Sequence, residues 1–385
     1  MTRARPEATL RALAAIAREV GEGSGARLEG LEETTAARAA LAALGSAGLA
    51  AWTVPERDGG ANAEPLASEN EVSVRALCAI RDELAWHSGM LDVVFVLQGL
   101  GSYPISLAGK DSIRKKLLPL VARGRQVPAF ALTEPEAGSS LGDVATRATK
   151  SKRGWVIEGR KTFISNAGVA DFYTVLARTS GDPGDTKGLS MFCVPASARG
   201  IQISRFEVLA PHPIGDVTLN QVDVPADHLL GEEGGGLEIA LGTLTRFRTS
   251  VAAAANGFAR RALDESRRHL ASRKQFGKPL SSFQSLRFDV AEMDVELRAA
   301  QLLVAEAAEA VDRGEKAVAE VARAKLFATE GASWICDRAV QHFGGLGVKR
   351  GSAVERLYRD VRALRIYEGT SEIQKLVLAK EILGS

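Results

Sequence analysis

Cysteine is scarce: Cys78, Cys193 and Cys336 are the only three in 385 residues. An odd number at such separations supplies neither a disulfide framework nor a CxxC clip, which fits a reducing compartment. The five histidines (His87, His212, His228, His269, His342) never fall at HxxxH or HxH spacing, so the sequence gives a metal site no support. Charge of one sign is also missing. The formal net charge is +2, and the densest basic run, Arg114-Lys115-Lys116, reads as one helix face. Nothing there makes an electrostatic case for nucleic acid or a membrane surface. Long apolar runs are absent too. The most apolar stretch, 41–54, is short and interrupted by Gly45, Ser46 and Gly48. Arg3, Arg5 and Pro6 precede an Ala-rich amphipathic stretch without an apolar signal core, so a soluble, cytoplasmic protein is expected.

What is present is a hydrophobic period that changes twice. Leu10, Leu13, Ile16, Ala17 and Val20 recur at helical spacing. Ala39, Leu41, Leu44 and Leu49 suggest a second helix, and 68–86, 92–108 and 111–123 suggest three more. Gly59-Gly60 and Pro104 are read as breaks. From about 126 to 235 the texture is strand-like: Trp155–Gly159 and Lys161–Ser165 around a Gly-Arg corner, then Phe172–Ala177, Leu189–Val194, Ile201–Val208 and Val217–Val224. Helical periods return over 237–271, 281–312, 315–341 and 372–382. The expectation is a mainly α chain with a central β domain. It divides into an N-terminal helical domain (1–125), a middle β-barrel or sandwich (126–235) and a C-terminal four-helix bundle (236–385). At this length more than one core is required.

Four segments carry chemistry. Tyr367-Glu368-Gly369-Thr370-Ser371 places a carboxylate before the last helix, where Thr370 or Ser371 could equally serve as its cap. Phe130-Ala131-Leu132-Thr133-Glu134-Pro135-Glu136-Ala137-Gly138-Ser139 runs a small apolar strand into a turn of amides and hydroxyls able to bind a ring carbonyl or phosphate. Arg273-Lys274-Gln275-Phe276-Gly277-Lys278-Pro279, followed by Phe283-Gln284, could instead be a basic helix end with a Gly stop. Gln341-His342-Phe343-Gly344-Gly345 lets backbone approach a ligand, or merely ends a helix.

In this order and spacing, over nearly the whole chain, these segments resemble the acyl-CoA dehydrogenase family. The resemblance implies FAD, consistent with the lack of a GxGxxG after any strand. It implies that Phe130, Leu132, Thr133, Gly138 and Ser139 line the flavin. Phe163-Ile164-Ser165 stand where the family has Trp-Ile-Thr, with Phe163 packing on the ring and Ser165 donating near N5. Arg273, Gln275, Phe276, Phe283, Gln284, Gln341, Gly344 and Gly345 would reach the FAD of a neighbouring subunit in a dimer or tetramer, and Thr370 and Glu372 would close over the cofactor. Ser139, Arg248, Tyr367 and Gly369 would serve the thioester substrate, although Arg248 could as well partner a carboxylate.

The implied reaction is α,β-dehydrogenation of an acyl thioester to the trans-2-enoyl product. Glu368 takes the α-proton, hydride passes to flavin N5, and an electron-transferring flavoprotein reoxidises the cofactor. A free glutamate is too weak a base, so burial must raise its pKa towards neutrality. Some relatives carry the base just before the Arg248 position. Here Phe247 stands there, flanked by Arg246 and Arg248, and none of the three accepts a proton. Val93–Leu100, expected to line the acyl pocket, contains no cation and speaks against a dicarboxylic acyl group. Phe95 and Leu97 suit a short, medium or branched chain, or are helix core. Pro211–Asp216 lacks the family's Gly, Arg and Ser pattern, and Thr245 replaces Asp; both point to the alternative of a carrier-protein-bound substrate. A flavin oxygenase or nitroalkane-type oxidase is disfavoured by Glu368, and a catalytically silent protein would lack a flavin spectrum.

Overall fold

The computed structural model describes residues 4–63 and 66–384, so Arg3 of the leading basic residues lies outside it. The apolar stripe of the first segment folds as α1 (Ala4–Leu28), followed by α2 (Glu33–Ser46), α3 (Val74–His87), α4 (Gly89–Ala108) and α5 (Asp111–Ala122). Two helical expectations are corrected. Residues 68–73 are not helical. The third helix starts at Val74 because the Asp312 carboxylate accepts the N–H groups of Val74 and Arg75, at 2.7 and 3.1 Å. Nor does Pro104 break α4, which runs through it. Proline deletes one helical bond, but 83% of the helix's most apolar stretch is buried, and that packing holds the helix together.

The middle segment forms β1 (Pro128–Ala131), β2 (Arg147–Ser151), β3 (Gly154–Ser165), β4 (Phe172–Arg178), β5 (Leu189–Pro195), β6 (Ile201–Arg205), β7 (Ile214–Pro225) and β8 (Leu229–Leu230). They hydrogen-bond into one eight-stranded sheet in the order β6-β7-β3-β2-β4-β5-β8, with β1 parallel to β4. The Gly-Arg corner is absorbed as a bulge: β3 is one continuous strand whose register on β7 slips between Ile157 and Gly159, and again between Lys161 and Ile164. Gly159 is required there, since a Cβ would sit 2.4 Å from the Thr146 hydroxyl oxygen. β4 and β5 are buried on both faces, which is why their sequences read as continuous apolar runs. Tyr173, Val175, Phe192 and Val194 join a core with Trp155, Ile157 and Leu219. Phe172, Leu176, Met191 and Cys193 join another with Ile105, Leu118 and Val121.

The rest comprises α6 (Gly236–Ser272), β9 (Lys274–Gln275), β10 (Lys278–Pro279), α7 (Gln284–Asp312), α8 (Val318–Phe343), α9 (Ala353–Arg362) and α10 (Ser371–Leu383). α9 was not foreseen; the Ser352 hydroxyl caps it by accepting from Glu355 N. The basic segment after α6 is not a simple helix end. It is a hairpin whose tip residues, Phe276 and Gly277, both have positive φ. The helical core gathers Val251, Phe258, Met293, Leu297, Val304, Ile335 and Leu357. The alanines of α6 permit close helix approach, and at Gly257 a Cβ would meet the Asp82 carbonyl at 2.2 Å. Backbone proximity groups the described residues into two compact units: 4–9, 23–63, 66–73 and 93–247, and 10–22, 74–92 and 248–384.

Candidate active site

In the second unit, the chain turns after Leu364, with the N–H groups of Ile366 and Tyr367 both bonded to the Ala363 carbonyl. Glu368 follows in the left-handed region, φ 54°, and Gly369 at φ 92°. A left-handed conformation costs a non-glycine residue about 1 kcal/mol, so something must hold it. Arg248 Nε donates to the Glu368 carbonyl at 2.9 Å. Lys325 Nζ and Gln374 Nε2 both donate to the Gly369 carbonyl, at 2.8 and 3.0 Å. Thr370 then caps α10, its hydroxyl accepting from Ile373 N at 3.3 Å.

The clamp grips carbonyls and leaves the carboxylate free. Glu368 Oε2 is buried without a hydrogen-bond partner among the described residues. Burial pushes its pKa up, against the opposing pull of Arg81, Arg248 and Lys325. The adjoining Tyr367 is 38% exposed, and burial of its hydroxyl raises that pKa too. Arg248 thus touches Glu368 at its backbone carbonyl and not as the partner of a carboxylate side chain.

Two cations of this cluster were not singled out from the sequence. Arg81, fully buried on α3, makes a bidentate pair with Asp92 at 2.7 and 2.8 Å and donates to the Ser250 hydroxyl at 2.9 Å. Burial disfavours its charge, but Asp92 more than offsets that and its pKa is raised. Lys325 is fully buried on α8. Each is the charged member of an otherwise apolar helical stripe: Leu77, Ile80 and Leu84 for Arg81, and Val321, Ala328 and Ala332 for Lys325. That break in the stripe was the available signal.

In the first unit, Phe163 takes φ 54° within the second bulge of β3, and its ring is 61% exposed. It meets Phe206 edge-on at 5.1 Å. Thr162 N bonds the Thr133 carbonyl at 2.9 Å, tying this corner to the turn after β1. Thr133 and Phe130 are half-buried, and Gly138 and Ser139 are exposed. Leu132 and Ile164 are core side chains, at 7% and 1% exposure, so only their backbone can face a ligand. Ser165 does not stand ready to donate. His212 Nδ1 bonds the Ala210 carbonyl at 2.9 Å, so in the neutral ring Nε2 accepts the Ser165 proton, at 3.0 Å. Burial lowers the His212 pKa and favours that neutral form.

Arg273, Gln275, Gln284, Gln341, Gly344, Gly345 and Glu372 are exposed, and Phe283 is half-buried. Phe276 at the hairpin tip is 91% exposed and edge-on to Phe283 at 6.1 Å. Phe247, by contrast, is packing. It is fully buried, edge-on to Tyr103, and fills the space that a side chain at Gly99 would need. Phe95 and Leu97 are buried in α4.

These residues fit FAD. An aromatic ring held out of the core on strained backbone costs stability unless a flat apolar partner covers it, and Phe163 has that arrangement. Gln275 and Gln284, exposed next in sequence to Phe276 and Phe283, offer hydrogen-bonding groups that suit a dinucleotide.

Family models bear on the same question. The N-terminal, middle and C-terminal domains of acyl-CoA dehydrogenase match residues 7–125, 129–222 and 234–383. The chain is 39% identical to a 3-(aryl)acrylate reductase of Clostridium sporogenes over 86% of each chain. It is 35% identical to a cyclohexane-1-carbonyl-CoA dehydrogenase of Geobacter metallireducens, over 80% of this chain and 81% of that one. The solved butyryl-CoA dehydrogenase of Megasphaera elsdenii superimposes with TM-score 0.89 at 31% identity, covering 97% of this chain and 98% of the other. The chain belongs to the acyl-CoA dehydrogenase family and is an FAD-dependent oxidoreductase acting on CH–CH bonds.

Proposed function

We propose that the chain, organised as domains 1–125, 126–235 and 236–385, oxidises an acyl-CoA thioester at Cα–Cβ to the trans-2-enoyl thioester, with Glu368 as the base. The observation that carries this reading is the buried, unpartnered carboxylate of Glu368 on a clamped left-handed turn. Its raised pKa makes it a stronger base than a solvated glutamate. The Glu368 N–H, left without a partner among the described residues, is free to bond the thioester oxygen and stabilise the enolate that forms as the α-proton leaves. When bound, FAD supplies the two-electron acceptor for the β-hydrogen. Phe163 would pack against it, Thr133 and Ser139 would bond it, and Arg273, Gln275, Gln341, Gly344 and Gly345 would hold it across a homo-oligomer. An electron-transferring flavoprotein is the acceptor this chemistry calls for.

Glu368→Gln keeps the shape and hydrogen bonding of the site without the base. It should retain FAD and bind substrate, while anaerobic flavin bleaching slows about 10³-fold or more. Bleaching within tenfold of the unaltered enzyme removes Glu368 from the role.

A second reading concerns direction and acyl group. The 39% identity to an aryl-acrylate reductase favours an aryl-substituted acyl group and net reduction, in which Glu368 would return a proton to Cα while FAD, when bound in its reduced form, would supply the hydride for Cβ. Bleaching by phenylpropionyl, butyryl and branched acyl thioesters, each on CoA and on a carrier protein, separates these readings. No response to any CoA ester would leave only the carrier-protein form.

A further inference from the structure

Three cations surround the base, and each bonds an atom other than its carboxylate. Arg81 spends its guanidinium on Asp92 and Ser250. Arg248 donates through Nε to the Glu368 carbonyl. Lys325 differs. It is fully buried, its Nζ has one hydrogen bond, to the Gly369 carbonyl at 2.8 Å, and no carboxylate among the described residues forms an ion pair with it. The charged groups around the two sites are Arg81 on α3, Asp92 on α4, Arg248 on α6, Glu330 on α8 and Glu372 on α10. Among the anions, Asp92 is bound by Arg81, and Glu330 pairs with Arg365 at 2.6 Å and accepts the Ser371 hydroxyl. Glu372 is exposed. Among the described residues, Glu368 is the carboxylate of this group left unpartnered within the cluster, and Lys325 is an ammonium with a carbonyl partner but no carboxylate.

We propose that Lys325 is a positioning residue for the base: anchored on the Gly369 carbonyl, its ammonium holds the left-handed turn and keeps the neighbouring Glu368 carboxylate charged while burial works to protonate it. This rests on the reading of Glu368 as base. Physically, a buried carboxylate with no counter-charge would sit protonated at neutral pH and could not take a proton. A direct ion pair would quench its basicity. A cation held one peptide away, on a carbonyl, lies between these limits. Burial also lowers the Lys325 pKa, to about 8, with Glu368 the largest force opposing that.

The test is the pH dependence of flavin reduction in Lys325→Gln, which keeps a donor and loses the charge, against Lys325→Arg, which keeps both. FAD content and substrate affinity are measured alongside. In the Gln variant the acid limb should move up by about one pH unit, with reduction about tenfold slower on the acid side. The Arg variant should keep the limb in place. A limb unmoved in the Gln variant overturns the proposal, however much the rate falls, because a mechanical brace alone would do that. Lys325→Met serves where Gln does not retain FAD. An infrared titration of Glu368 in the unaltered holoenzyme, with Glu368→Gln as blank, needs no lysine variant. A midpoint above that of Lys325, about 8, would mean the two are never charged together and would also overturn it. If Glu368→Gln itself bleaches normally, the reading of the base has failed; if that variant is silent and the limb stays put, only the role of Lys325 has.

Discussion

Two buried glutamates, one in each compact unit, are each accompanied by a fully buried lysine, and they end in opposite states. Glu134 receives the Lys161 ammonium at 2.8 Å on Oε1, with Ala145 N on Oε2 at 2.7 Å and Thr146 N on Oε1 at 3.0 Å. Burial alone would raise its pKa, but these partners outweigh burial and the pKa falls. Glu368 has Lys325 nearby, yet that lysine bonds a backbone carbonyl, Oε2 has no partner, and burial wins. Both places set a buried lysine beside a glutamate, and Glu368 has two arginines besides. The difference is where the hydrogen bonds end: on the carboxylate they make a structural strut, on the adjoining peptide they leave the carboxylate oxygen unpartnered among the described residues.

The strut is the easier one to break. Lys161→Met removes the counter-charge from a carboxylate that is 6% exposed. Unpairing a buried ion in this way should destabilise the protein by about 3–5 kcal/mol, read as a fall in the denaturant midpoint. A loss below about 1 kcal/mol would mean that the two backbone N–H groups satisfy Glu134 without the lysine, and the contrast would then lie elsewhere.

A second measurement sharpens the sign. The folded pKa of Glu134 is depressed, so its contribution to stability is present above the ordinary carboxylate range and is lost as pH falls through the folded value. Glu368 is the reverse. Its folded pKa is raised, so it contributes no penalty in acid and destabilises increasingly as pH rises from the ordinary range through the folded value. Glu368→Gln should therefore unfold with the unaltered protein at pH 4 and above it at pH 7, by about 1 kcal/mol or ~2 °C. A variant less stable at both pH values would show the carboxylate to be a strut like Glu134.

How much of this was legible in sequence follows the range of each interaction. The Glu368 loop, the turn after β1 and the Phe163 corner were picked out as short runs by the family they resemble, while the bonds that hold them, from Arg248 to Glu368 and from Thr162 to Thr133, cross the chain. The β4 and β5 runs were equally plain, because burial on both faces makes a strand uniformly apolar. Lys325 and Arg81 were not legible as site residues. The first depends on Gly369, 44 residues away, and the second also on Ser250, 169 away. Pro104 misled for a related reason: the local rule against proline in a helix was overruled by long-range packing of α4. The bulged course of β3 was fixed by its pairing with β7, far along the chain.

The smallest effect probes the second parallel between the units, their strained corners. Phe163 and Glu368 share φ 54°, but only Glu368 is clamped by cations. Phe163→Gly removes the left-handed cost, about 1 kcal/mol, and adds unfolded-chain entropy worth about 0.5 kcal/mol against the fold. Losing a 61% exposed ring costs the apoprotein little. The net should be a gain of about 0.5 kcal/mol without FAD. With FAD the sign should reverse, because the ring's partner is gone, and the variant should release flavin on dilution more readily than the unaltered protein. If apo-stability falls by 1 kcal/mol or more, the ring is packing for Phe206 and the corner is strained for the fold's sake. If stability rises and flavin retention is unchanged, the strain serves neither the fold nor the cofactor. Only a rise coupled to weaker retention makes Phe163 the counterpart of Glu368, a residue held in a costly conformation for what it meets.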